Sequence, residues 1–174
     1  MYKRQGNYYN RFYFVHPDGA VQHYDKKHLF TFGGEHKRFT AGTERVVVNF
    51  RGVRILLEVC YDLRFPVWAR NLGDYDMILY VASWPTPRVD AWSALLRARA
   101  IENQCYVAGV NRMGVDPACE YSGGSAIIDP YGKTIAECPW SRESAVSADI
   151  DMEALQAFRK KFPVLDDADP FTLI

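Results

Sequence analysis

Apolar and polar positions alternate from Phe12 to His16 and again from Val21 to Tyr24, on either side of Pro17-Asp18-Gly19, so the chain opens with a β-hairpin closed by a tight turn. From Tyr24 to Gly42 the sequence is polar, contains Gly33-Gly34 and keeps no period, which predicts an ordered loop of the kind that carries functional groups. A second hairpin follows, with Val46 to Phe50 and Val53 to Val59 flanking Arg51-Gly52. Its ILLEV run is apolar almost throughout, as suits a strand covered on both faces, and it stops at Cys60. Phe65 to Leu72 is helix-compatible, and Met77 to Ala82 is another buried strand, bounded by Ser83-Trp84-Pro85. Trp92, Leu95, Leu96 and Ile101 recur at helical spacing, which predicts a helix capped by Asp90 and running to about Gln104, before a third core strand from Tyr106 to Val110. The last third reads as strands over Ser125 to Ile128, Lys133 to Glu137 and Ala145 to Ile150, then a helix capped by Asp151 and ended by Pro163. The tail from Val164 to Ile174 has no period and is expected to lie along a surface or a partner.

Strands that alternate with helices and then turn to hairpins predict a layered α/β domain whose helices cover one sheet face, and the whole of 1–174 reads as one domain without repeat, low-complexity segment or linker. A chain of 174 residues is long enough to bury one core unaided. Lys plus Arg (21) equals Asp plus Glu (21), and no basic run interleaved with aromatics offers a phosphate-binding face, so nucleic acid is not an expected partner. No apolar run approaches the roughly 18 residues of a membrane span and the N-terminus lacks an apolar signal core, so neither membrane insertion nor export is expected. Cys60, Cys105, Cys119 and Cys138 form no CxxC pair and no disulfide framework, as free thiols of a cytoplasmic protein would.

Among these, Cys60 sits where a buried strand gives way to a turn and helix, in Val59-Cys60-Tyr61-Asp62-Leu63-Arg64-Phe65-Pro66. A thiol there lies at the carboxyl end of a sheet, near backbone N–H groups that favour a thiolate and any oxyanion formed beside it. Taken alone, such a cysteine is more often core filling. Its context decides otherwise: Tyr24-Asp25-Lys26-Lys27-His28-Leu29-Phe30, then Glu35-His36-Lys37-Arg38-Phe39-Thr40-Ala41-Gly42, then the Cys60 segment, in that order.

In these segments the chain resembles the nitrilase superfamily of carbon-nitrogen hydrolases, whose members carry a Glu-Lys-Cys triad. The stretches Tyr80 to Pro85, Arg97 to Gln104, Gly123-Gly124-Ser125 and Asp129 to Gly132 extend the likeness over nearly the whole chain. The resemblance implies a four-layer αββα sandwich and a homodimer that packs helix on helix, with the helix from Trp92 to Gln104 and the tail beyond Pro163 as contact candidates. It implies Cys60 as nucleophile, Lys26 rather than Lys27 as the catalytic cation, Glu35 as an accessory carboxylate that orients the lysine or the substrate, and the Tyr61 backbone N–H as an oxyanion donor. The chemistry fits those types: a linear amide is a poor electrophile, and a thiol of pKa ~8.5 needs a cation or base beside it to attack as thiolate. No cofactor and no metal is implied, and His16, His23, His28 and His36 lack ligand spacing and read as surface or loop histidines.

The family's general-base glutamate is expected tens of residues before the lysine, whereas the first glutamate here is Glu35. The expectation is therefore a chain corresponding to the C-terminal two-thirds of the sandwich, lacking its N-terminal strands and helix together with the base. Tyr80 to Arg88, Arg99 to Arg112 and the tail most resemble the omega-amidase branch, which implies a small-molecule amide such as 2-oxoglutaramate or 2-oxosuccinamate as substrate. Such acids carry a carboxylate, for which Arg88, beside Trp84, is the expected partner; both residues read equally well as a surface cation and a core aromatic. Arg64 is expected to brace the turn. The alternatives are a non-catalytic scaffold or binding subunit, or the same chemistry on a carbamoyl amino acid, a nitrile or deaminated glutathione.

Overall fold

The structure is a computed structural model and describes residues 2–4 and 6–172. Four strands open the chain as two hairpins, β1 (Tyr2–Arg4) with β2 (Asn7–Tyr9) and β3 (Arg11–Val15) with β4 (Val21–Asp25). Beyond a loop with two 3-10 turns, at Thr31–Gly33 and Glu35–Lys37, come β5 (Val47–Phe50) and β6 (Val53–Val59), joined by Arg51 and Gly52 with φ of 51° and 81°, the left-handed pair of a tight hairpin. A 3-10 turn over Cys60–Arg64 leads into the single turn of α1 (Pro66–Ala69), then β7 (Met77–Ala82), α2 (Val89–Glu102), β8 (Tyr106–Asn111), β9 (Met113–Val115), β10 (Glu120–Ser122), β11 (Ala126–Ile128), β12 (Thr134–Glu137) and α3 (Met152–Lys161).

One six-stranded sheet, in the order β12-β11-β8-β7-β6-β5, organises the molecule. Its centre is parallel, with Val59 opposite Val81 and Ala82 opposite Asn111, so the carboxyl ends of β6, β7 and β8 finish side by side. Alternate residues of these strands fill two cores. Leu56, Ile78, Tyr80 and Val107 meet Trp92, Leu96 and Ala100 of α2 on one face, while Ile55, Leu57, Val59, Met77 and Ala108 meet Tyr24 of β4 and Leu155 of α3 on the other. Each large apolar side chain so enclosed contributes about 1.5–3 kcal/mol.

Four expectations change. The helices do not share one face, because Leu155 of α3 packs on the side opposite α2. Only Pro66–Ala69 of the stretch ending at Leu72 is helical, because the buried Asn71 side chain donates to the Tyr75 and Asn103 carbonyls and its backbone N–H goes to Asn103, ending the helix. Asp90 is not the cap of α2: the 3-10 turn Thr86–Arg88 runs straight into the helix, leaving Asp90 in its first turn, where a negative charge favours the helix dipole. Ala145 to Ile150 forms no strand, since it finds no neighbouring strand and most of its residues stay exposed. The β1–β2 and β9–β10 hairpins are additions to the elements expected from the pattern. Asp151 does cap α3, accepting from Ala154 N at 2.8 Å.

Asp76, at the start of β7, ties α3 to the sheet. It accepts from Arg54 at 2.8 and 2.9 Å and from Arg159 at 2.9 Å, and Arg159 also donates to the Tyr75 and Gln104 carbonyls. Burial opposes its ionisation, but the hydrogen bonds and charge of Arg54 and the charge of Arg159 outweigh that, holding the carboxyl below the usual carboxylate range. A depressed folded-state pKa gives stability that is present above the unfolded pKa and disappears as pH falls through the folded one. Asp76→Asn is expected to destabilise the chain by about 1.5–3 kcal/mol in chemical denaturation at pH 7. The gap between variant and wild type should close as pH drops below about 4; a gap that persists unchanged at pH 2.5 would contradict this account of the ion pairs.

Candidate active site

Where β6 ends, Cys60 adopts φ of 49°, a conformation that L residues with a side chain rarely take and that costs of order 1–3 kcal/mol. The strained turn lifts the thiol off the sheet's carboxyl edge into a cavity of about 770 Å³. Lys26, Glu35, Tyr61, Trp84 and Arg88 line the same cavity, so it brings together all six residues singled out from the sequence. Asn10 and Arg64 join them.

Lys26 reaches the cavity from the end of β4 and is 3% exposed. Its backbone is gripped on both sides, its N–H donating to Asn10 O at 2.9 Å and its carbonyl accepting from Gly42 N at 2.9 Å. Only glycine fits at position 42, because a Cβ there would run into the Asp25 carbonyl. The ammonium donates to Glu35 Oε2 at 2.6 Å, and Glu35 also accepts from Asn10 Nδ2 at 2.8 Å and Phe30 N at 2.6 Å. Burial opposes the charge on Glu35, yet the bonds from Asn10, Lys26 and Phe30 overcome it and lower its pKa. Glu35 is the one carboxylate among the described residues lining the cavity.

At the thiol the balance goes the other way. Burial raises the Cys60 pKa, the Lys26 charge and the Ser83 backbone lower it, Glu35 and Asp62 raise it again, and the net result lies above the ordinary thiol value. Cys60 Sγ lies 3.9 Å from Ser83 O. At neutral pH, therefore, this arrangement holds a protonated thiol beside an ammonium whose charge is already countered by Glu35.

The walls are equally determined. Asn111, at the end of β8, accepts from Trp84 N at 2.7 Å and donates to the Trp84 and Gly123 carbonyls at 3.0 and 2.7 Å, fixing the Ser83-Trp84 segment. Trp84 is a buried core residue, tilted against Trp92 with centroids 5.5 Å apart and donating its indole N–H to Arg88 O at 2.7 Å, and it also lines the cavity. Arg88 lies over the Phe30 ring at 5.4 Å. Arg64 does not brace the turn as expected; it is exposed and lies over Trp84 at 5.1 Å, inside the cavity. The brace is the buried Arg99 of α2, which donates to Leu63 O at 2.5 Å. Tyr61 presents its ring to Phe30 and Phe65, and its backbone N–H belongs to the first turn of the Cys60–Arg64 segment, where such groups have no partner within the turn.

His28 is not a bystander. It stacks on Phe65 with centroids 3.8 Å apart and donates to the buried Asp62 from both its backbone and its ring. Sequence reasoning misses the roles of His28, Asp62, Asn10, Asn111 and Arg64, although Asp62 and His28 stand inside its two strongest segments. No group of three or more His, Cys, Asp or Glu residues placed to hold a metal ion occurs among the described residues.

A mixed α/β fold that gathers a thiol, an ammonium and a carboxylate at the carboxyl edge of its central strands defines a class, and comparison with known proteins agrees with it. Residues 1–160 match the carbon-nitrogen hydrolase family model, and the chain belongs to that family, with the fold of the nitrilase superfamily. It is 54% identical over 165 residues to omega-amidase YafV of Escherichia coli K12, covering 94% of this chain and 64% of that one. It is 39% identical over 168 residues to 2-oxoglutaramate amidase of Bacillus subtilis, covering 95% and 64%. The structure of XC1258 from Xanthomonas campestris, a CN-hydrolase superfamily protein with an arsenic adduct in its active site, superimposes with a TM-score of 0.95 at 47% identity, covering 99% of this chain and 68% of that one. The chain thus spans 64% of the length of the two curated relatives.

Because Glu35 counters the Lys26 charge, Glu35→Gln should lower the Cys60 pKa and speed alkylation of that thiol by iodoacetamide at pH 7, by roughly tenfold if the pKa falls by about one. Peptide mapping distinguishes Cys60 from the other cysteines, and a slower reaction in a folded Glu35→Gln chain would show that the carboxylate holds the lysine in place more than it cancels it.

Proposed function

We propose that the whole protein hydrolyses the terminal amide of a small oxo acid, 2-oxoglutaramate or 2-oxosuccinamate, to carboxylate and ammonia through a thioester on Cys60. The observation that carries this reading is the buried Lys26 ammonium sharing one cavity with a thiol on a strained turn. The similarity to an omega-amidase and a 2-oxoglutaramate amidase supports the substrate class.

In this reading a general base takes the Cys60 proton as sulfur attacks the amide carbon, and the Lys26 ammonium with the Tyr61 N–H holds the resulting oxyanion. The base then gives its proton to nitrogen as the C–N bond breaks and ammonia leaves. Water, deprotonated by the same base, attacks the thioester and returns the thiol. Glu35, held ionised by three donors, orients Lys26 and is a poor candidate for the base. In this reading the base is a second carboxylate, which no described residue lining the cavity supplies. The second reading, a binding scaffold without turnover, is favoured by the thiol of Cys60, which burial holds above its ordinary pKa.

Arg88 and Arg64 line the cavity without a carboxylate partner among the described residues, which suits an acid substrate with its charge at the end remote from the amide, and Trp84 lines it under Arg64. We propose a homodimer as well, and the exposed Tyr131 and Phe162, on either side of Phe158 with centroids 4.1 and 6.3 Å from it, extend the contact candidates beyond α2 and the tail after Pro163.

The test is ammonia release from 2-oxoglutaramate by this chain alone and by a fusion that adds the N-terminal third of the Escherichia coli relative. The fusion should be faster by roughly 10²–10⁴, the usual contribution of general acid–base catalysis, and Cys60→Ala should abolish its activity. In the same fusion Arg88→Ala should weaken acid substrates by about 1.5–3 kcal/mol, roughly ten- to a hundred-fold in KM, and spare amides without a carboxylate. Equal rates with and without the added third would contradict the assignment of the base.

A further inference from the structure

Asp62, two residues past the nucleophile, is fully buried and accepts four hydrogen bonds that join two distant stretches of chain. Its Oδ1 takes the His28 backbone N–H at 2.8 Å and the His28 ring Nδ1–H at 2.8 Å. Its Oδ2 takes the Tyr24 hydroxyl at 2.9 Å and the Val59 N–H at 3.1 Å. Tyr24 and His28 stand two residues either side of Lys26, and Val59 directly precedes Cys60. The Tyr24 hydroxyl in turn accepts from Lys27 N and from Trp68 Nε1, both at 3.1 Å, and His28 is pressed flat against Phe65. One carboxylate therefore clamps the lysine-bearing segment to the turn that carries the thiol, and it does so from beneath the cavity, since it is not among the lining residues.

We propose that Asp62 is a positioning residue that sets the distance between the Lys26 ammonium and the Cys60 sulfur. This rests on the reading of Cys60 and Lys26 as the reacting pair.

The charge of Asp62 has the opposite effect from its clamp. By itself the carboxylate raises the Cys60 pKa, as does Glu35, while Lys26 lowers it. Glu58, buried two residues before Cys60 with neither oxygen hydrogen-bonded, has its carboxyl pushed well above the usual range by burial and by Asp62, with Arg45 and Arg99 only partly opposing this. Burial and Asp62 thus favour the neutral form of Glu58. If Asp62 acted only through its charge, neutralising it would make the thiol more acidic. If it acts through position, Asp62→Asn sets an NH2 group against donors it cannot serve, Lys26 draws away, and the thiol becomes less acidic. The two roles predict opposite signs.

The experiment measures iodoacetamide alkylation of Cys60 against pH, resolved by peptide mapping, in the 174-residue chain and in the variants Asp62→Asn, Tyr24→Phe and Lys26→Met, with circular dichroism to confirm folding. Lys26→Met should slow alkylation at neutral pH, and Asp62→Asn should raise the apparent thiol pKa by about one, slowing the reaction on the order of tenfold. Tyr24→Phe, which removes one donor and leaves the charge, should move it the same way by less. A folded Asp62→Asn chain that alkylates as fast as wild type or faster, while Lys26→Met is slowed, overturns the positioning role alone. No effect of Lys26→Met overturns the underlying reading of the pair. If Asp62→Asn does not fold, a folded Tyr24→Phe chain with wild-type alkylation overturns the proposal.

Discussion

An ammonium group with almost no contact with water is costly unless something holds and compensates it, and in this protein everything at the carboxyl edge of the sheet is arranged around that demand. Lys26 is met by Glu35, Glu35 is fixed by Asn10 and the Phe30 amide, and the backbone of Lys26 is gripped between Asn10 and Gly42. Such a cation has one counter-charge at rest and is free to serve a second when negative charge develops on a sulfur or an oxygen nearby. That is the electrostatic preorganisation an acyl-transfer site needs, built before any substrate arrives.

The sheet makes the arrangement possible. Parallel pairing of β6, β7 and β8 brings three strand ends level, and each end delivers one part: β6 the strained Cys60, β7 the Ser83-Trp84 wall, β8 the Asn111 that fixes that wall. Arg99 reaches from α2 to secure the turn from the other side of the sheet. The opposite edge is closed by the Asp76 ion pairs with Arg54 and Arg159, so the strands are held at both ends and the geometry at the thiol inherits the rigidity of the core.

Much of this is legible in the chain. Period-two alternation places the β3–β4 and β5–β6 hairpins, continuous apolar runs place the central strands, and the order Lys26, Glu35, Cys60 points to one cavity before any coordinates. What the chain conceals has a common physical cause: its role depends on partners far along the sequence. The Asp62 bonds span 34 and 38 residues to His28 and Tyr24, and nothing local distinguishes such an aspartate from a turn former. His28 lacks the spacing of a metal ligand, and that spacing says nothing of a ring that buttresses a carboxylate. Arg99 takes the bracing place expected of Arg64 for the same reason, since only packing decides which guanidinium points inward. Ala145 to Ile150 alternates like a strand, and a strand exists only where another edge accepts it.

The central claim, that the Lys26 amine and the Cys60 thiol face each other across the cavity, is tested most directly with o-phthalaldehyde, which forms a fluorescent isoindole only from an amine and a thiol in immediate proximity. Treatment of the folded chain should give one isoindole, and peptide mapping should find it joining residues 26 and 60. Fluorescence that never appears, or an adduct joining Cys60 to Lys27 instead, would contradict the account.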